Sequence, residues 1–199
     1  TLQEAANAAL AADVSAPVEA PRVSSLLAKL PEPGQITDEQ ADAATGVWSA
    51  WLGNGVRVHH LKNESRKDSV YIAISLLGAE ILETPSNRGI TNAVVSTAWA
   101  QPATKQYGNS QIRSLLAGHK LSLTGRSGAD AAQIRMEAVP EDLDLAFQLA
   151  HLLLTQPVVD APALGTWKSR RMKINQEKER NKIQMFERIC ADVQYHDDD

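Results

Sequence analysis

Four stretches of the chain read as β structure, two of them by period-two alternation of hydrophobic and polar positions, and helical spacing lies between and after them. Residues 47–62 read as a hairpin. Trp48 to Leu52 and Val56 to Leu61 flank Gly53-Asn54-Gly55, and Asn-Gly is a strong turn signal because both residues accept positive φ. On its second arm Val56, Val58 and His60 share one face, and Arg57, His59 and Leu61 the other. Residues 69–78 carry Val70, Tyr71, Ile72, Ile74, Leu76 and Leu77. They are apolar on both faces, the pattern of an inner strand. Residues 119–128 alternate like a half-buried strand, with Gly125, Ser127 and Gly128 marking a turn. Residues 131–139 alternate again and are expected to pair with them antiparallel.

Helical spacing fills the rest. Residues 89–118 form a helical block between two β segments. Residues 140–156 are the clearest helix. Pro140 suits a first turn, and Glu141, Asp142 and Asp144 suit its positive end. Leu143, Phe147, Ala150 and Leu154, with Leu145, Leu149, Leu152 and Leu153, give it a broad apolar face, and Pro157 ends it. From Asp160, a plausible N-cap, to about Gln194 the pattern predicts one long helix with intermittent apolar anchors such as Leu164, Trp167, Ile174 and Phe186. The order β-β-α-α-β-β-α-α favours an α+β fold: a largely antiparallel sheet with helices packed on one face.

The first 46 residues behave differently. Residues 1–20 are Ala-rich, with Leu2, Ala5, Ala6, Ala9 and Leu10 at helical spacing. Residues 14–21 carry two prolines and read as extended, and residues 23–30 as a short apolar element. Leu30-Pro31-Glu32-Pro33-Gly34-Gln35-Ile36 is loop chemistry, and residues 37–46 are polar and acidic. Residues 1–46 are therefore expected to be an inter-domain linker lying along a body formed by residues 47–199.

Composition narrows the function classes. The 199 residues are 43% hydrophobic and 22% charged, ordinary for a globular domain, and the net charge of −4 gives no global attraction for nucleic acid or anionic membranes. No apolar run reaches the roughly 18 residues of a membrane span. Basic residues between Lys168 and Lys182 are interleaved with Glu177 and Glu179 and few aromatics, which reads as a solvated face rather than a nucleic-acid surface. No Gly-x-x-x-x-Gly-Lys phosphate loop occurs. His59 and His60 point to opposite faces of a strand and cannot share a metal. His151 has no His or carboxylate at i±3 or i±4 and reads as a packed or rim residue; Cys190 reads as a small apolar helix residue. The terminal His196-Asp197-Asp198-Asp199 offers at most a weak, disordered cation site.

The central block carries a resemblance. The order of features resembles a domain of the pitrilysin/insulinase family of zinc peptidases, over roughly residues 22–195. Its marks are the Leu-Pro-x-Pro-Gly-x-Ile stretch from Leu30, the Leu-x-Asn-Gly-x-x-Val stretch from Leu52, Gly78-Ala79-Glu80 at a strand end, and Gly89-Ile90 opening a helix. Tyr107-Gly108-Asn109-Ser110-Gln111-Ile112, ending in Leu115-Leu116-Ala117-Gly118, resembles a helix in the second halves of four-domain bacterial members. Active domains of the family carry His-x-x-Glu-His after that Gly-Ile step; the two histidines bind Zn²⁺ and the Glu activates its water. Here those positions hold Asn92, Val95 and Ser96, which are poor ligands or none. A later helix can supply a third ligand in the family; Glu177 or Glu179 would stand there with nothing to complete.

The resemblance thus implies a non-catalytic domain, with no catalytic, cofactor-binding or metal residue of its own and zinc in another domain of a parent chain. It implies the linker plus the first domain of a second half, lacking a final strand by truncation. The expected role is shaping a substrate chamber and contacting peptide or unfolded protein. The other domains of the parent are the remaining partners, with no nucleic acid and no membrane. The family alone favours an extracytoplasmic compartment. The alternative is a structural subunit of the same fold in an assembly without peptidase activity, as in processing-peptidase regulatory subunits and respiratory-complex core proteins.

Overall fold

The structure, a computed structural model, describes Gln3 and residues 25–194. The expected helical spacing in residues 1–20, the extended stretch at 14–21 and the Asp-rich end at 196–199 lie outside these residues.

The described residues form an α+β fold with two three-stranded antiparallel sheets. The first joins β1 (Ile36–Ala41), β2 (Trp48–Leu52) and β3 (Arg57–His60) in that order. The β2–β3 hairpin is as the sequence predicts, pairing Trp48 with His60 and Ala50 with Val58. Its turn is of another type. The Gly55 amide donates to the Leu52 carbonyl, and only Gly55 takes positive φ (84°), while Asn54 stays negative and its Oδ1 accepts from the Val56 amide. Arg57 lies 5.4 Å over the ring of its cross-strand partner Trp51.

β1 was not expected. All six of its residues are exposed, so no alternation marks it, yet it pairs along β2 from Ile36↔Leu52 to Ala41↔Trp48. Backbone pairing defines it, with one side-chain bond from Thr37 Oγ1 to the Trp51 carbonyl (3.2 Å). The segment expected to be linker therefore contributes an edge strand.

The second sheet has the order β4 (Val70–Leu77), β6 (Ala131–Ala138), β5 (Leu121–Ser127). Both pairings are antiparallel, and the β5–β6 pairing is as expected. β4 is an edge strand rather than an inner one, and Tyr71 and Leu77 are exposed on the helix-free face of the sheet, opposite Ile72 and Ile74. β6 is central, and its alternation divides the sheet cleanly. Ala132, Ile134, Met136 and Ala138 are buried, facing the same side as Ile72 and Ile74 of β4 and Leu121 and Leu123 of β5. The opposite side is polar. There Gln133 donates to Ser75, Arg135 donates to Gln133, and Arg66 pairs with Glu137 at 2.6 Å.

Helices cover the apolar side. α1 (Ile90–Val94) continues into a wide π turn at Val95–Trp99; α2 (Asn109–Leu115) and α3 (Leu143–Thr155) follow. α3 buries Leu145, Ala146, Leu149, Ala150, Leu152 and Leu153 in the same cluster as Ile134, Met136, Trp99 and Ile112. Each fully buried Leu or Ile contributes roughly 2 kcal/mol. Phe147 and Leu154, expected on this face, instead point outward, seven residues apart on one ridge. α3 is held at its start by His119, whose Nδ1 lies 2.6 Å from Asp142 Oδ1, while Asp142 Oδ2 accepts from the Lys120 amide.

Residues 25–27 are anchored to this core. Gln148 on α3 is buried, and its Oε1 accepts from the amides of Leu26 (2.8 Å) and Leu27 (3.1 Å) and from Ser25 Oγ. Tyr107 Oη donates to the Leu26 carbonyl, and the Leu26 side chain is fully buried.

The single long helix expected from Asp160 is two helices, α4 (Ala161–Arg180) and α5 (Lys182–Gln194). Asn181 breaks it at φ −87°, ψ 110°, and its Oδ1 accepts from the Ile183 and Gln184 amides, so it caps α5. Of the anchors expected here, Leu164, Trp167 and Ile174 are half-buried and Phe186 is exposed, as are the neighbouring Met172 and Ile183; Cys190 is exposed too.

Candidate functional site

α1 begins where a carboxylate meets bare amides. Glu83 accepts from the Gly89 amide (2.6 Å) and the Thr91 amide (2.8 Å), which satisfies two donors at the helix start. Those two backbone bonds, chiefly that from Gly89, hold the Glu83 carboxyl below its ordinary range, with help from the Thr91 side chain and Arg88.

One turn later come the three positions of the metal motif. Asn92 is half-buried and uses both ends of its amide. Its Nδ2 donates to Ser127 Oγ on β5 (2.9 Å), and its Oδ1 accepts from Trp167 Nε1 on α4 (3.1 Å). Asn92 thus ties together sheet, α1 and α4. Val95 is buried against β5. A Cβ added at Gly125 would lie 2.8 Å from Val95 Cγ1 and 2.9 Å from the Val95 carbonyl oxygen, so the strand requires glycine there to approach the π turn. This corrects the reading of Gly125 as a turn residue: it lies inside β5, and the chain turns after Ser127. Ser96 is half-buried and faces a groove.

These three side chains do not fit a zinc ion. Asn92 is engaged at both polar atoms, Val95 offers only hydrocarbon, and a lone serine hydroxyl is a weak donor to Zn²⁺. Among the described residues no group of three or more His, Cys, Asp or Glu is placed to hold a metal ion. Glu177 is exposed beside Lys173 at 4.0 Å, and Glu179 lines a separate cleft at the α4–α5 bend, so neither reaches the motif positions. His59 hydrogen-bonds Ser49 and stays exposed; His151 is a half-buried rim residue.

The groove lies between α1 and the first half of α4 and encloses about 300 Å³. Ser96 and Gln101 line one side; Thr166, Trp167, Arg170 and Arg171 line the other. The basic stretch read from the sequence as a solvated face therefore places two arginines on a concavity. A helical repeat through Trp167, Arg170, Arg171 and Ile174 was the available signal, since these share a face.

No family model matches the sequence, and no curated protein matches it. Solved structures do. The periplasmic protease PqqL from Escherichia coli matches with a TM-score of 0.72 and 15% identity, over 98% of this chain and 21% of its own. The ferredoxin protease FusC, in a mutant form in complex with Arabidopsis ferredoxin, matches with a TM-score of 0.60 and 21% identity, over 82% of this chain and 18% of its own. The chain thus spans about a fifth of the length of these proteases. At this identity the likeness is one of fold, and the fold is pitrilysin/insulinase-like.

Proposed function

We propose that this chain is a non-catalytic domain of a larger zinc metallopeptidase. It shapes the substrate chamber and contacts peptide or unfolded protein, while zinc and the catalytic residues belong to another domain of the parent. The observation that carries this reading is the replacement at the motif positions, where Asn92 ties α1 to β5 and α4 through hydrogen bonds. Contact with extended peptide needs no catalytic residue, because strand addition and apolar pockets supply binding alone. The outer edge of β4, unpaired among the described residues, suits that mode. The two proteases of like fold support the assignment to proteolysis, and the complex of FusC with a protein supports a protein or peptide partner. The periplasmic location of PqqL supports an extracytoplasmic compartment.

The test is peptide hydrolysis by the parent chain with and without residues 47–199, alongside the sequence of the parent frame. A His-x-x-Glu-His helix elsewhere in the parent, and hydrolysis impaired by the deletion, are the expected results. A parent with no such helix and no hydrolysis would overturn the peptidase reading in favour of the structural-subunit alternative.

A further inference from the structure

The α1–α4 groove has the chemistry of a carboxylate site. Arg170 and Arg171 both line it, and no acidic residue among the described residues does. Neither arginine has an ion-pair partner among the described residues, although Lys173 on the same helix pairs with Glu177. Ser96 and Gln101 make no side-chain hydrogen bond among the described residues and remain available as donors. Trp167 and Asn92 satisfy one another and fix the groove floor. Guanidinium groups only donate, and their fork geometry matches the two oxygens of a carboxylate. Uncommitted hydroxyl and amide donors beside them add to the same preference. The flat Trp167 ring and the Ile174 side chain give apolar surface for the methylenes or backbone adjoining the acid. A volume of about 300 Å³ holds one or two residues of a peptide.

We propose that this groove binds the carboxylate of a peptide, from an acidic side chain or a free C-terminus, and so selects acidic segments of the substrate. The inference rests on the peptide-contacting reading above and names the substrate chemistry that reading leaves open.

The test titrates the 199-residue chain calorimetrically with three peptides of one length. The first carries a central Glu and an amidated end, the second Gln and an amidated end, and the third Gln and a free carboxylate end. The Trp167 indole N–H signal, identified by its loss in Trp167→Phe, reports groove occupancy. Two exposed charge-assisted contacts correspond to about a tenfold preference for a carboxylate-bearing peptide over the neutral one. Tightening by the first peptide assigns the side-chain source, and tightening by the third the chain end. Arg170→Gln/Arg171→Gln should abolish the preference. Lys168→Gln/Lys182→Gln removes the same charge outside the groove and should keep it. Equal binding of all three peptides, or loss of the preference in both double variants, overturns the groove assignment while the peptide-contacting reading stands. Failure of every peptide to bind overturns both.

Discussion

Asn92 is where a substitution tests the site most sharply. Asn92→Ala removes an acceptor from the Trp167 indole and a donor to Ser127, across contacts of 3.1 and 2.9 Å. A neutral hydrogen bond contributes about 1 kcal/mol net, so the loss of both is about 2 kcal/mol. For a domain of this size that lowers Tm by about 4–8 °C. Asn92→Asp should be far milder, because a carboxylate accepts from the indole and also from a rotated Ser127 hydroxyl. Trp167→Phe keeps the ring and removes only the N–H. The double variant Asn92→Ala/Trp167→Phe should therefore cost about 1 kcal/mol less than the sum of the singles. Urea unfolding of the four proteins gives this coupling. An Asn92→Ala protein within about 0.5 kcal/mol of the parent, or strict additivity, would refute the idea that Asn92 ties α1 to its neighbours.

Other parts of the fold give further outcomes. Gly125→Ala should cost about 1–3 kcal/mol in urea unfolding through overpacking, and a second Val95→Ala change should relieve less than half of it, because the Val95 carbonyl remains 2.9 Å away. Gln148→Ala leaves the Leu26 and Leu27 amides without their acceptor and should cost about 2 kcal/mol by the same assay; no measurable cost would show that residues 25–27 are not anchored as described. Glu83 gives a pH signature. Its folded carboxyl sits below its ordinary range, so its stabilising effect is full above the unfolded value and fades as pH falls through the folded one. The stability difference between the parent and Glu83→Gln should thus be constant near neutrality and vanish in acid, whereas a difference that persists at low pH would contradict the capping role.

The sequence carries more of the core than of the site. β5, β6 and the β2–β3 hairpin are legible because one face of each pair is marked by alternation or by a turn. β1 is not, since all six of its residues are exposed and backbone pairing rather than a buried face defines it. β4 reads as an inner strand because Tyr71 and Leu77 are apolar, yet both are exposed on the face of the sheet that no helix covers. Asn181 looks like one more polar helix residue until its Oδ1 is seen to cap α5. At the site, the residue types at positions 92, 95 and 96 are read directly from the sequence. The partners of Asn92 are not, because Ser127 and Trp167 lie 35 and 75 residues away and only the packing of α1 on β5 and α4 brings them together.

The central claim is that this domain does no metal chemistry of its own. The most direct test is elemental analysis of the 199-residue chain after dialysis against Zn²⁺ and gel filtration, with hydrolysis of a quenched fluorescent peptide library measured on the same sample. The account predicts far less than one zinc per chain and no chelator-sensitive hydrolysis. One zinc per chain that is lost on changing Asn92 and Ser96 to alanine, accompanied by chelator-sensitive cleavage, would contradict it.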